Sequence, residues 1–370
     1  FLRQRSLLVS VSICLNAFYP QNINMLQEKS SLSSTKFSSS DVRSFLVFFE
    51  SYLEDSIQNL DGPTVELARH VVLSGGKRIR PLLCFHCGAQ NPNVTNDLLK
   101  ASTILELVHV ATLVHDDMID QALLRRNSKT IHSFAGDHTA VLLGDALFSY
   151  ALELATDFPT NRICRIVSKA TRLTCSGEIR QTSARGDASL SLEDYYSFIQ
   201  DKTGELFKAS CQLGALLSGH SEKDIDLVGE FGISLGICYQ IYDDLLDTFG
   251  RKDKTEKSLG SDFDSGKLTL PLILLLQDVD ASHRAIISES IKNGVCVDTK
   301  IIISKLFDSH NIIPQCLDEF NKHFSNIKLI ANSVSDPVLS DNLNGFLSFF
   351  SSKITLLNTL KTSNFLALHD

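Results

Sequence analysis

The chain carries Ile104-Leu105-Glu106-Leu107-Val108-His109-Val110-Ala111-Thr112-Leu113-Val114-His115-Asp116-Asp117-Met118-Ile119-Asp120, an apolar run that stops on three carboxylates. From Thr95 onward the apolar spacing is helical and covers most faces, so Thr95 to Asp120 is expected to be one central helix. Negative charge at a helix C-terminus opposes the macrodipole, so Asp116, Asp117 and Asp120 destabilise that end unless cations sit there. Arg125 and Arg126 follow closely. Further on, Tyr242-Asp243-Asp244-Leu245-Leu246-Asp247 repeats the Asp-Asp-x-x-Asp spacing after a second apolar stretch, with Lys257 and Lys267 beyond it.

Around these two motifs the pattern stays helical. Val42, Phe45, Leu46, Phe49 and Leu53 recur at helical intervals, with Asp41 as an N-cap. Val65 to Leu73 forms a short helix closed by Ser74-Gly75-Gly76, and Lys77-Arg78-Ile79-Arg80-Pro81 opens the next with proline in its first turn. Further helices are expected over Ala140 to Thr156, Thr160 to Ala184, Ser191 to Leu217 and Ser221 to Phe249. Ser191 caps its helix with Asp194 three residues on, while Gly232 and Gly236 allow close packing. Asn91-Pro92-Asn93 and Arg251 to Gly266 are expected to be loops, the second mobile. With 370 residues, 43% of them apolar, and only 8 prolines, the chain suits one large all-α bundle around a central apolar cavity.

A formal net charge of -8 argues against nucleic acid as a partner. Nine cysteines, among them Cys164, Cys175, Cys211 and Cys238 in apolar stretches, indicate reduced, buried thiols in a cytosol-like compartment. Cys84-x-x-Cys87 lacks a second pair at zinc spacing and is taken as two core cysteines. No window of about eighteen residues is apolar throughout, which speaks against a transmembrane segment. Residues 1–40 differ in kind: Arg3 and Arg5, no acid before Glu28 and a Ser-rich stretch mark a leader or disordered tail, with Met25 as an internal start. The location is expected to be cytoplasmic, or plastid or mitochondrial if that leader is a transit peptide.

On a helix, residues i and i+4 share a face, so each motif offers two aligned carboxylates and one splayed from them. An all-oxygen, carboxylate-rich platform suits hard cations. Magnesium in particular binds through one or two carboxylates and completes its shell with water and phosphate oxygens. One such cluster is more often a solvated helix end, but the same costly arrangement occurs twice, each time beside basic residues. Two platforms clamping a diphosphate through several magnesium ions is the chemistry this suggests.

These residues, with Gly75-Gly76-Lys77-Arg78-Ile79-Arg80-Pro81, Gly144-Asp145, Gly177-Glu178-Ile179-Arg180-Gln181, Lys202-Thr203-Gly204-Glu205-Leu206-Phe207, Gln240-Ile241-Tyr242-Asp243-Asp244 and Gly266-Lys267-Leu268-Thr269-Leu270-Pro271, resemble the trans-isoprenyl diphosphate synthases. The resemblance runs from about Phe45 into the C-terminal third. It implies the isoprenoid synthase fold, a homodimer, and Asp116, Asp117, Asp120, Asp243 and Asp244 as magnesium ligands. It also implies Arg125, Lys202, Thr203, Gln240, Lys257 and Lys267 as contacts to an allylic diphosphate, and Lys77, Arg80, His109 and Arg126 as the isopentenyl diphosphate site. Alone, His109 would be a core histidine and Lys202 an exposed cation. The implied reaction is ionisation, condensation and proton loss, with no protein nucleophile.

One turn before Asp116 stand Ala111 and Thr112, where short-chain relatives commonly hold an aromatic stop. Their small size implies a long-chain product, hexaprenyl to decaprenyl, of the kind that supplies quinone side chains and is delivered to membrane; a geranylgeranyl-length product is the alternative. A terpene cyclase on the same fold and a non-catalytic partner subunit are the other readings. The isopentenyl residues speak against the first and the two intact motifs against the second.

Overall fold

Helix dominates wherever the apolar spacing predicts it. The computed structural model describes residues 42–89, 95–126, 128–250, 260–293 and 297–367. Its main helices, in chain order, are Val42–Ile57, Thr64–Val72, Ile79–Gly88, Thr95–Ile119, Asp137–Thr156, Asn161–Ser183, Leu192–Ile199, Glu205–Leu217, Glu222–Phe249, Leu270–Asp278, Ala281–Asn293, Val297–Ser309, Ile312–Ala331 and Pro337–Lys353. The all-α expectation holds. The exception among the described residues is a two-stranded hairpin, Leu124–Arg125 with Ser128–Lys129, which the helical pattern gives no sign of.

The chain divides into two compact units. The first takes residues up to Thr171, Leu206–Gly229 and Ala331–Phe349; the second takes Arg172–Glu205, Glu230–Ile330 and the residues from Phe350. In the first, the Thr95–Ile119 helix packs along Asp137–Thr156 and against Ile79–Gly88 and Val42–Ile57. It is buried on all faces from Ala101 to Val108, within a core that includes Phe45, Phe49, Leu53, Leu147 and Leu213. Burial of this many large aliphatic and aromatic side chains, at about 1.5–3 kcal/mol each, holds the central helix despite its acidic end.

In the second unit the Glu222–Phe249 helix, from Glu230 onward, buries Phe231, Leu235, Ile241, Leu245 and Phe249. Phe249 meets Phe307 edge-on at 5.0 Å, and Phe307 meets Phe365 at 5.3 Å. Gly236 is needed here. A Cβ on it would lie 2.7 Å from the Gly204 Cα, so two backbones meet where only glycine fits.

Two expectations change. Thr95–Ile119 and Asp137–Thr156 are each long and apolar enough to cross a membrane, contrary to the reading of the sequence. The first is 72% buried over its most apolar window, as a core helix is, whereas the second is 39% buried and leaves Leu142 open. Among the cysteines, Cys211 and Cys238 are buried as expected, Cys164 is half-buried and Cys175 is exposed. The leader, the Asp41 cap, the Asn91-Pro92-Asn93 loop, Lys257 and residues 251–259 of the expected loop lie outside the described residues. The remainder of that loop contains a short helix, Ser261–Asp264.

Candidate active site

The first motif helix ends at Ile119 because Gln121 adopts a left-handed backbone, φ 52°, and Ala122 N–H turns back to the Asp117 carbonyl at 2.9 Å. This stop delivers the chain into the hairpin that carries Arg125. Its guanidinium then folds back onto Asp117: Nε donates to Oδ1 at 2.7 Å and to Oδ2 at 2.9 Å. Asp117 is 6% exposed, and burial pushes its carboxyl up even though Arg125 pulls it down.

Asp116 and Asp120 remain on the open face, half-buried and exposed respectively. The motif therefore separates as helical geometry requires. Asp116 and Asp120 form the platform, and Asp117 is turned inward onto Arg125. The expected roles of Asp117 as a metal ligand and Arg125 as a phosphate contact are, in this structure, occupied by their mutual ion pair.

The loop before the Ile79–Gly88 helix is held from both sides. Arg126, also left-handed at φ 50°, donates from Nη1 to the Gly75 carbonyl, and a Cβ on Gly76 would lie 2.9 Å from the same nitrogen. Arg78 is buried. It donates to Glu50 at 2.7 and 3.1 Å, to Glu106 at 2.5 Å and to the Val72 carbonyl at 2.9 Å. Lys77 stands exposed beside it, and Arg80 lies over the Phe207 ring at 5.0 Å.

His109 lies among this cationic group. Burial, with Arg80, Arg126, Arg125 and Arg78, holds its pKa well below the usual histidine range, so the ring is neutral and the surroundings favour an anion. A pocket in this unit is lined by residues that include His70, Glu106, Val110, Asp117, Arg125 and Arg126.

The helix expected to run unbroken from Ser191 to Leu217 is interrupted within the second unit. The capping box of Ser191 and Asp194 starts it as expected, but Gln200–Gly204 form a π turn. Gly177 shows why the fit is close: a Cβ there would lie 2.5 Å from the Lys202 nitrogen. The turn presents Lys202 to Glu178 and to Gln181 Oε1 at 3.0 Å. It also places Thr203, whose hydroxyl donates to Gln240 Oε1 at 2.8 Å. π turns recur at functional sites because they re-aim side chains.

From Gln240 the network continues into the second motif. Gln240 Nε2 donates to Asp244 Oδ1 at 2.8 Å, and the Tyr195 hydroxyl donates to Asp244 Oδ2 at 2.8 Å. Asp244 is 2% exposed, and burial pushes its carboxyl up to about 7. Asp243 and Asp247 are half-buried at i and i+4 on the helix, and Asp247 Oδ2 accepts from the Asp262 backbone N–H at 3.2 Å. Lys267 reaches Asp262 at 3.8 Å. Tyr195, Glu50 and Asp262 were not singled out from the sequence. A Tyr among apolar helix positions and a Glu that follows two phenylalanines carry no local sign of their distant partners.

Among the described residues no three His, Cys, Asp or Glu side chains converge as a metal cage. The donor set still fits magnesium, which needs one or two carboxylates and takes its other ligands from phosphate and water. Asp116 with Asp120 in the first unit and Asp243 in the second offer such sets.

A nearly all-helical architecture carrying two Asp motifs and a cationic cluster is what the isoprenoid synthase class leads one to expect. The chain belongs to the polyprenyl synthetase family, whose pattern it matches over residues 63–304. It is a prenyltransferase of the polyprenyl diphosphate synthase type. It is 36% identical over 233 residues, 63% of this chain and 73% of the other, to heptaprenyl diphosphate synthase component 2 of Geobacillus stearothermophilus. It is 33% identical over 249 residues, 66% of this chain and 75% of the other, to the geranyl-diphosphate-specific all-trans-nonaprenyl-diphosphate synthase of Rhodobacter capsulatus. Among solved structures, the polyprenyl synthase of Caulobacter crescentus CB15, complexed with calcium and isoprenyl diphosphate, superposes with a TM-score of 0.76 at 27% identity, covering 87% of this chain and 99% of that one.

Proposed function

We propose that this enzyme condenses isopentenyl diphosphate with an allylic diphosphate to give a long-chain, all-trans polyprenyl diphosphate, a precursor of quinone side chains. The observation that carries the product class is the pair Ala111 and Thr112 one turn before Asp116, small where a bulky residue would stop the chain. The long-chain names of the Geobacillus and Rhodobacter relatives support it.

Asp116, Asp120 and Asp243 are assigned to magnesium. The bound ion supplies the charge that stabilises the departing diphosphate. Lys202, Gln240, Lys267 and Arg125 are assigned to the allylic diphosphate, and Thr203 is assigned to it through Gln240, which its hydroxyl orients. Lys77, Arg80, Arg126 and neutral His109 hold isopentenyl diphosphate: the guanidinia supply bidentate contacts and the lysine a point charge. The first Asp-motif helix, apolar along most of its length, keeps water from the growing chain.

The test is to incubate purified protein with magnesium, isopentenyl diphosphate and farnesyl diphosphate and weigh the products by mass spectrometry. Products of thirty or more carbons support the reading. Stalling at twenty supports the geranylgeranyl alternative, and cyclised hydrocarbon formed without isopentenyl diphosphate supports a cyclase. The word component in the Geobacillus name favours a second reading, that a partner polypeptide is required. Product from this chain alone rules it out. We infer a homodimer otherwise, and a cytoplasmic location unless residues 1–40 direct the chain to an organelle.

A further inference from the structure

We propose that Tyr195 is a positioning residue of the allylic-diphosphate site, and that Asp244, which its hydroxyl holds, is an anchor rather than a metal ligand. The identity of the ligand rests on the function proposed above. The anchor itself rests on geometry within the second unit.

Three hydrogen bonds form a directed chain. Tyr195 Oη donates to Asp244 Oδ2, Gln240 Nε2 donates to Asp244 Oδ1, and Thr203 Oγ1 donates to Gln240 Oε1, each at 2.8 Å. Both Asp244 oxygens thus accept from protein donors. Since the amide nitrogen of Gln240 faces Asp244, its oxygen must face Thr203, which fixes the flip of the amide and uses the single hydroxyl hydrogen of Thr203. One further hydrogen of the Gln240 amide is left to meet a ligand oxygen.

The far end of the chain is rigid. Tyr195 is 1% exposed, and it lies on a helix whose start is locked by the Ser191–Asp194 capping box. Its ring packs against Tyr196 at 5.4 Å, and the Tyr196 hydroxyl donates to Glu319 at 2.7 Å. Asp244 sits inside, at 2% exposure, while Asp243 and Asp247 occupy the half-buried face of the helix. A cation that meets this motif does so on that half-buried face, not at Asp244. A buried carboxylate whose neighbour Gln240 presents a ligand-binding amide acts through that amide, which Thr203 holds from the other side, as outer partners of metal sites do.

The experiment compares Tyr195→Phe, Asp244→Asn and Asp243→Asn in the full chain. Manganese binding is measured by electron paramagnetic resonance with inorganic diphosphate present, alongside KM for farnesyl and isopentenyl diphosphates and the melting temperature. Tyr195→Phe is expected to weaken manganese-diphosphate binding and raise KM for farnesyl diphosphate by about 10-fold or more. KM for isopentenyl diphosphate stays at the wild-type value. The double variant Tyr195→Phe/Asp244→Asn should lose little more than the worse single, because the two act in one chain.

The proposal is overturned if Asp244→Asn abolishes manganese binding as Asp243→Asn does while Tyr195→Phe binds like wild type, for Asp244 is then a ligand. It is equally overturned if Tyr195→Phe lowers the melting temperature but leaves manganese binding and both KM values unchanged, for the contact is then packing alone. A wild-type protein that binds manganese and diphosphate yet makes no prenyl product would sink the proposed reaction. The manganese arms would still decide the role of Tyr195.

Discussion

At Arg78 a left-handed backbone, φ 47°, coincides with a guanidinium that is almost completely buried. Burial works against its charge, and Glu50 and Glu106 together outweigh that penalty, so it stays protonated. Removing it strands two carboxylates in the core. Arg78→Met is expected to cost about 3–5 kcal/mol, read as a lower midpoint in thermal unfolding, and adding Glu50→Gln and Glu106→Gln to it should recover part of the loss. The Asp motifs behave differently, because Asp116 and Asp243 lie at the surface of their helices. Asp116→Ala and Asp243→Ala should each lower turnover by orders of magnitude while circular dichroism stays unchanged; wild-type rates in either would refute magnesium binding there. The open carboxylates and the cations beside them were legible in the sequence, because i, i+4 spacing alone sorts them. The inward turn of Asp117 was not, since it depends on a hairpin that brings Arg125 back.

Among elements, the helices were legible and their interruptions were not. Apolar periodicity predicts Glu222–Phe249 to within a residue, yet nothing in it marks Gln200–Gly204 as a π turn, which answers to the close approach of Gly177 and Gly236. Gly236→Ala would press a methyl into the Gly204 backbone and is expected to destabilise by about 1–3 kcal/mol, seen as a lower melting temperature. On the first motif helix, Thr112 is half-buried on the face of Asp116 and Asp120, its hydroxyl donating to the His109 carbonyl at 2.7 Å. Ala111 points into the core and is fully buried. Thr112→Phe should therefore shorten the prenyl product with little change in melting temperature. Ala111→Tyr should shorten it only together with a marked loss of stability. Products of wild-type length in Thr112→Phe would show that the chain does not grow along this face.

For the molecule as a whole, the balance of buried titrations sets how stability varies with pH. His86 packs edge-on to Phe85 at 5.8 Å and Phe346 at 5.5 Å, and burial lowers its pKa to about 4. His109 is lowered likewise, by burial and the surrounding arginines. In both, the unfolded chain takes up a proton near the ordinary histidine value of about 6.5 while the folded chain does not. Their stabilising effect is therefore complete above that pH and is lost as pH falls towards the folded value. Asp244 runs the other way. With its folded pKa raised to about 7, it gains stability as pH falls from there towards the ordinary carboxylate range of about 4. The two signs partly cancel in the wild type, so the test has to isolate one group. His86→Leu removes one titration and keeps an apolar side chain between the two rings. Its loss of unfolding free energy between pH 7.5 and pH 5, measured in urea, should be smaller than the wild-type loss by roughly 2 kcal/mol. Equal losses would mean that His86, half-buried between Phe85 and Phe346, takes its proton in the folded state.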